Sequence, residues 1–315
     1  MSFRGVFPPV ITPFRSDCSI DRDGFVTMLE HLIASKVHGI IIGGTTGEYY
    51  AQTPEERVEL FRLAKSVVNG RLPLIAGVGA LRTEDAVAFA MEAKKLKYDG
   101  LLVSSPYYAV PTQKELWVHA LAIDHAADLP IMLYNYPGRT GTMMDEEFLA
   151  RVGRSTNFVA IKESSGSIHH LHTLARDFPH IDLFCGMDDQ ALEFFAWGAR
   201  GWVCGAGNCL PQEHLALYDA CVLEQDFDKG RRIMSALLPL MTVIEQGGKA
   251  IQAIKYGCEI SGLPAGMVRR PLSGLEEEQK RELDLTFRTL KAVIAAIQTE
   301  PKQKAQDNVL AANTR

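Results

Sequence analysis

The chain has 315 residues, 47% hydrophobic and 23% charged, which suits one large globular domain or two small ones. A net charge of -5 without a basic run argues against a nucleic-acid partner, and no apolar stretch is long enough to span a bilayer. The opening Met1-Ser2-Phe3-Arg4-Gly5 lacks a signal-peptide core. The six cysteines (Cys18, Cys185, Cys204, Cys209, Cys221, Cys258) form no C-x-x-C pair, so they read as buried free thiols of a cytoplasmic protein.

Eight apolar runs read as strands: Gly5–Thr12, Gly39–Ile42, Pro73–Gly77, Gly100–Ser104, Pro130–Asn135, Phe158–Lys162, Ile181–Cys185 and Gly201–Cys204. Amphipathic stretches such as Phe25–Ser35, Pro54–Val68, Glu84–Lys95 and Gln113–Ala127 lie between them. Thr53-Pro54-Glu55-Glu56 and Thr112-Gln113-Lys114-Glu115 are capping boxes that open two of these helices. Strands alternating with helices at this spacing predict an α/β fold, a (β/α)8 TIM barrel. A doubly wound open sheet is the alternative, but no glycine-rich nucleotide turn follows the first strand. Gln212–Glu224, Phe227–Glu245, Gly248–Ser261 and Glu276–Ile297 read as helices. The chain thus divides into barrel elements over 1–210, closing and C-terminal helices of the same domain over 211–298, and a polar, aperiodic tail over 299–315 that is expected to fray.

Lys162 closes the sixth apolar run. A strand buried on both faces should not end in an amine without a task, because burial disfavours an ammonium and a neutral amine can form a Schiff base with a ketone. The bland reading is a lysine that merely reaches the surface past the strand end. Barrel active sites lie at the C-terminal strand ends. Those ends carry Gly43-Gly44-Thr45-Thr46-Gly47-Glu48, Ser104-Ser105-Pro106-Tyr107-Tyr108, Tyr134-Asn135-Tyr136-Pro137-Gly138-Arg139-Thr140-Gly141, Lys162, and Cys185-Gly186-Met187-Asp188-Asp189. A 2-keto acid would offer its carbonyl to the lysine and its carboxylate to the hydroxyls and amides around Thr45, Thr46 and Gly47. Tyr134 could move protons beside the amine, and Arg139 could hold a second carboxylate.

Gly44-Thr45-Thr46-Gly47-Glu48, Tyr134-Asn135-x-Pro137-x-Arg139-Thr140-Gly141 and Ile161-Lys162-Glu163-Ser164-Ser165-Gly166 resemble the motifs of the dihydrodipicolinate synthase/N-acetylneuraminate lyase family. So does the opening Gly5-Val6-Phe7-Pro8-Pro9-Val10-Ile11-Thr12-Pro13-Phe14. The resemblance covers about the first 300 residues and implies a metal-independent class I lyase that needs no cofactor. It implies a Schiff base on Lys162, Tyr134 as central acid/base relaying protons through Thr45, and Thr46 with neighbouring amides on the keto-acid carboxylate. It further implies Gly186 and Val203 as pocket lining, and Tyr108 reaching the site from an adjacent subunit of a homodimer or homotetramer.

Arg139 fits the synthase branch, whose reference reaction joins pyruvate to aspartate semialdehyde. Gly138, Ala109, Cys204-Gly205 and the segment Gln246–Gln252 depart from that branch. A retro-aldolase or dehydratase acting on a sugar acid or keto acid therefore stays open, as does a non-catalytic keto-acid-binding barrel. His169-His170-x-His172 would suit a metal-dependent aldolase, but it lacks a companion ligand and reads as a polar helix face. Pro54, Arg57 and Leu81 stand where lysine-inhibited members carry lysine-binding side chains, and Tyr49 and Tyr50 are expected to crowd that cleft. No feedback inhibition by lysine is expected.

Overall fold

The computed structural model describes residues 3–299. Its strands are β1 (Gly5–Val6), β2 (Ile40–Ile42), β3 (Leu74–Gly77), β4 (Gly100–Ser104), β5 (Ile131–Asn135), β6 (Phe158–Glu163), β7 (Asp182–Cys185) and β8 (Gly201–Trp202). They form one parallel sheet in the order β1-β8-β7-β6-β5-β4-β3-β2. The Val10 N–H donates to Ile41 O at 2.9 Å and the Ile41 N–H to Pro8 O at 3.1 Å, which closes the sheet into a (β/α)8 barrel.

The first apolar run was expected to be a strand as far as Thr12, but its ladder stops at Val6. Pro8 and Pro9 have no N–H, so those two positions can only accept and the ladder is interrupted there. The helices are α1 (Arg22–Ala34), α2 (Pro54–Val68), α3 (Thr83–Lys95), α4 (Gln113–Ala127), α5 (Pro137–Thr140), α6 (Glu146–Val152), α7 (Ile168–Asp177), α8 (Ala191–Ala196), α9 (Pro211–Tyr218), α10 (Phe227–Gln246), α11 (Ala250–Ile260) and α12 (Glu277–Thr299). Both predicted capping boxes form, and α2 and α4 have the expected bounds. The tail beyond Thr299 lies outside the described residues.

Two apolar layers follow from the two-residue period of a strand. Ile41, Ile75, Leu102, Met132, Ala160, Phe184 and Val203 fill the barrel interior together with Phe3 and Phe7. Their neighbours in sequence, such as Ile40, Leu101, Ile131, Leu133, Ile161 and Leu183, point outward into the larger core beneath the helices. Of the cysteines, Cys185, Cys204, Cys209, Cys221 and Cys258 are buried free thiols, whereas Cys18 is exposed, against expectation. Cys18 sits in a turn at a positive φ of 67°, outside any apolar run.

The C-terminal helices clamp the β2 turn. On α11 the Lys255 ammonium lies 2.6 Å from Glu48 Oε1 and donates to Thr12 O at 2.8 Å. The second Glu48 oxygen accepts the Arg269 N–H at 2.8 Å. Glu48 and Lys255 are both buried, so this ion pair fixes the turn that carries Thr45 and Thr46.

Candidate active site

The inward period of the strands predicts what stands at the top of the barrel. Counting two residues on from Met132, Ala160 and Phe184 gives Tyr134, Lys162 and Gly186. Parallel register sets Tyr134 beside Lys162, and the Lys162 Nζ rests 4.0 Å from the Tyr134 ring centroid. Both side chains are buried.

A cavity of about 130 Å³ lies above them, lined by Thr45, Thr46, Tyr134, Arg139, Lys162, Gly186 and Val203. The structure thus gathers seven of the sequence-predicted site residues around one space. An outer cavity of about 150 Å³ shares Thr45, Tyr134, Tyr136 and Arg139 with it and adds Tyr49, Tyr50, Ser104 and Tyr107. Burial pushes the Tyr49 phenol up to about 12, so that phenol keeps its proton at neutral pH. Position 186 must be glycine. A Cβ there would sit 2.0 Å from Ser164 Oγ and 2.8 Å from both Glu163 O and the Lys162 Cγ.

Two predicted residues stand apart. Gly47 does not line either cavity: its N–H donates to Gly44 O at 3.0 Å, and its carbonyl accepts from Thr12 Oγ1 at 2.8 Å. Tyr108 is 94% exposed, with a positive φ of 69° that a bulky residue rarely adopts, and it lines neither cavity.

Several polar groups around the site escaped the sequence reading. Glu163, one residue past Lys162, is buried and accepts from Asn135 Nδ2 at 2.7 Å. Its carboxylate also meets His170 Nδ1 at 2.8 Å and the Ser165 N–H at 2.5 Å. This link joins the residues that follow Tyr134 and Lys162 in register. His170 therefore corrects the expectation of a polar helix face, since it is buried against Glu163 while His172 packs on Trp197 at 4.2 Å. Asp188, after β7, accepts from Trp202 Nε1 at 2.8 Å and from the Gly205 N–H at 3.1 Å. Its own N–H donates to Glu245 Oε1 at 2.9 Å. Glu245 lies in the last turn of α10 and also lines the inner cavity. No local signal marks it, because its partner is far away in sequence.

Tyr49 and Tyr50 open the single turn that follows Glu48. With Pro54, Arg57, Leu81 and Asp85 they line an adjoining cavity of about 310 Å³. Arg57 is buried beside Tyr49 and Phe89: its guanidinium lies 4.7 Å from the Tyr49 centroid and 4.2 Å from that of Phe89. That guanidinium donates to Gly79 O at 2.8 Å and to Gly77 O.

Known proteins carry the same plan. A model of the Dihydrodipicolinate synthetase family matches residues 2–290. The chain is 35% identical over 293 residues to a 4-hydroxy-tetrahydrodipicolinate synthase of Exiguobacterium sibiricum, covering 93% of this chain and 99% of that one. Among solved structures, the 4-hydroxy-tetrahydrodipicolinate synthase of Methylacidiphilum fumariolicum SolV superposes with a TM-score of 0.87 at 33% identity, covering 94% of this chain and 98% of that one. The E. coli K12 prophage protein YagE, solved in complex with pyruvate, gives a TM-score of 0.86 at 28% identity over 92% of this chain and 99% of that one. Family match, extent of identity and shared barrel agree: the chain belongs to the Dihydrodipicolinate synthetase family.

Proposed function

We propose that this protein is a class I, metal-independent lyase that binds pyruvate on Lys162 and condenses it with a small aldehyde. The observation that carries the reading is the buried Lys162 amine, 4.0 Å from the Tyr134 ring, at the floor of a cavity lined by Thr45, Thr46 and Arg139. The Lys162 nitrogen attacks the keto carbon, and loss of water gives the imine. A proton leaves the pyruvate methyl group to give the enamine. That carbon attacks the aldehyde, whose oxygen takes a proton, and water then hydrolyses the imine and frees Lys162. Tyr134 is positioned to carry these protons, with Thr45 beside it, while Thr46 and adjacent amides hold the keto-acid carboxylate. Gly186 and Val203 bound the keto-acid end. Arg139, shared by both cavities, faces the second substrate and suits a carboxylate, as in aspartate semialdehyde.

The names of the relatives favour condensation over a retro-aldol or dehydratase reaction, and the presence of both Lys162 and Tyr134 opposes a non-catalytic barrel. Free cysteines suit a cytoplasmic setting. Borohydride reduction in the presence of pyruvate should add one pyruvate-sized mass per chain. Lys162→Ala should lose both the adduct and turnover. An adduct that persists in Lys162→Ala, or none on the wild type, would sink the reading.

The exposed Tyr108 supports a homo-oligomer in which this ring enters a neighbour's active site to complete the proton relay. Burial across an interface would offset the strain of its backbone. Sedimentation velocity should give a dimer or tetramer, and Tyr108→Phe should lower turnover while leaving the oligomer intact. A fully active monomer contradicts this assignment.

A further inference from the structure

The inner cavity carries a carboxyl group that the steps above do not use. Glu245 stands in the same wall as Lys162 and Arg139. One of its oxygens is held by the Asp188 N–H at 2.9 Å, and among the described residues it makes no other hydrogen bond or ion pair. As a cap for that single N–H, a neutral amide oxygen would serve equally well. The charge has a cost, because Asp188 is buried next to it: burial first, and then the Glu245 carboxylate, push the Asp188 carboxyl up to about 7. Asp188 is itself buried, and both of its oxygens already accept, from Trp202 Nε1 and from the Gly205 N–H. Lys162 and Arg139 act on the Glu245 charge without touching it, so its second oxygen has no donor among the described residues and can accept from a ligand in the cavity.

We propose that Glu245 is a specificity-determining residue that accepts a hydrogen bond from a donor group on the second substrate, next to the carboxylate that Arg139 holds. This rests on the Schiff-base reading and adds a requirement to it. The aldehyde carries an ammonium or a hydroxyl on the carbons between its carbonyl and its carboxylate. An aldehyde with a carboxylate alone would leave Glu245 desolvated beside a second negative charge.

Three aldehydes of one length test the idea with pyruvate as co-substrate: 4-oxobutanoate, 2-amino-4-oxobutanoate and 2-hydroxy-4-oxobutanoate. The wild type should prefer at least one donor-bearing aldehyde over 4-oxobutanoate by about 10–100-fold in kcat/KM, the range expected for a hydrogen bond to a charged group. Glu245→Leu should collapse that preference to within about twofold. Glu245→Gln separates the two donors: it should keep the preference for a hydroxyl and lose that for an ammonium, because the amide retains an acceptor without the charge. A wild type that does not discriminate overturns the proposal. So does a Glu245→Leu variant that slows all three aldehydes by one factor, which would make Glu245 only a counter-charge for Lys162. A pyruvate adduct without turnover of any of the three aldehydes also overturns it and leaves the Schiff base standing. No adduct at all brings down both readings.

Discussion

Tyr134→Phe keeps the ring on which the Lys162 Nζ rests at 4.0 Å and deletes only the hydroxyl. The substitution therefore separates packing from proton transfer. Turnover should fall by about 10²–10⁴-fold, the usual contribution of a positioned acid–base group, with the melting temperature close to that of the wild type. A near-wild-type rate would remove Tyr134 from the chemistry. Lys162 and Tyr134 were legible in the sequence because each needs only a short apolar run and the rule that barrel chemistry sits at C-terminal strand ends. Gly186 was legible only through resemblance. Its physical reason, the lack of room for a Cβ beside Ser164 Oγ and the Lys162 Cγ, exists only once β6 and β7 lie side by side. Glu245 and the Glu163–His170 pair were not legible as site groups, since a contact between Asp188 and Glu245 leaves no periodic trace in either segment.

Strand and helix positions were readable where local chemistry decides them. The capping boxes fixed the starts of α2 and α4, and the αL residues Asn69 and Asp128 follow their ends. α1 begins three residues before the expected Phe25, because Asp21 caps it by accepting from the Gly24 N–H. The stretch expected as one helix from Gln212 splits into α9 and a wider turn over Asp219–Leu223. α5 is a single turn too short for periodicity to reveal, yet it aims Arg139 at the cavity. The bond between α11 and the β2 turn is likewise tertiary. Lys255→Met leaves the Glu48 carboxylate buried without its cation, so it should cost about 3–5 kcal/mol in denaturant unfolding. Because Thr45 and Thr46 precede Glu48, the KM for pyruvate should rise as well. A loss within about 1 kcal/mol would show that water replaces the lysine and that the clamp is weak.

For the molecule as a whole, the buried carboxyl of Asp188 at the inner cavity predicts one part of how stability responds to pH. Asp188 is buried, and burial followed by the Glu245 carboxylate pushes its carboxyl up to about 7. In the unfolded chain an aspartate titrates near about 3.9. Between those two values the folded protein holds a proton that the unfolded chain has released, so this group makes stability fall as pH rises. The full cost is in place above about 7 and absent below about 4. Buried His119 and His214, each held down to about 4 by burial, act with the opposite sign across the acid range. The raw pH profile therefore mixes both effects, and a variant is needed to isolate the carboxyl. Asp188→Asn cannot ionise. It keeps an acceptor for Trp202 Nε1 but loses the one for the Gly205 N–H, a penalty that is the same at every pH. Thermal melts of both proteins in steps from about pH 5 to pH 8 should show the variant gaining on the wild type as pH rises, with the gain levelling off above about 7. A difference that stays constant over the whole range would mean that Asp188 titrates like an exposed aspartate, and that the pair it forms with Glu245 is not under electrostatic strain.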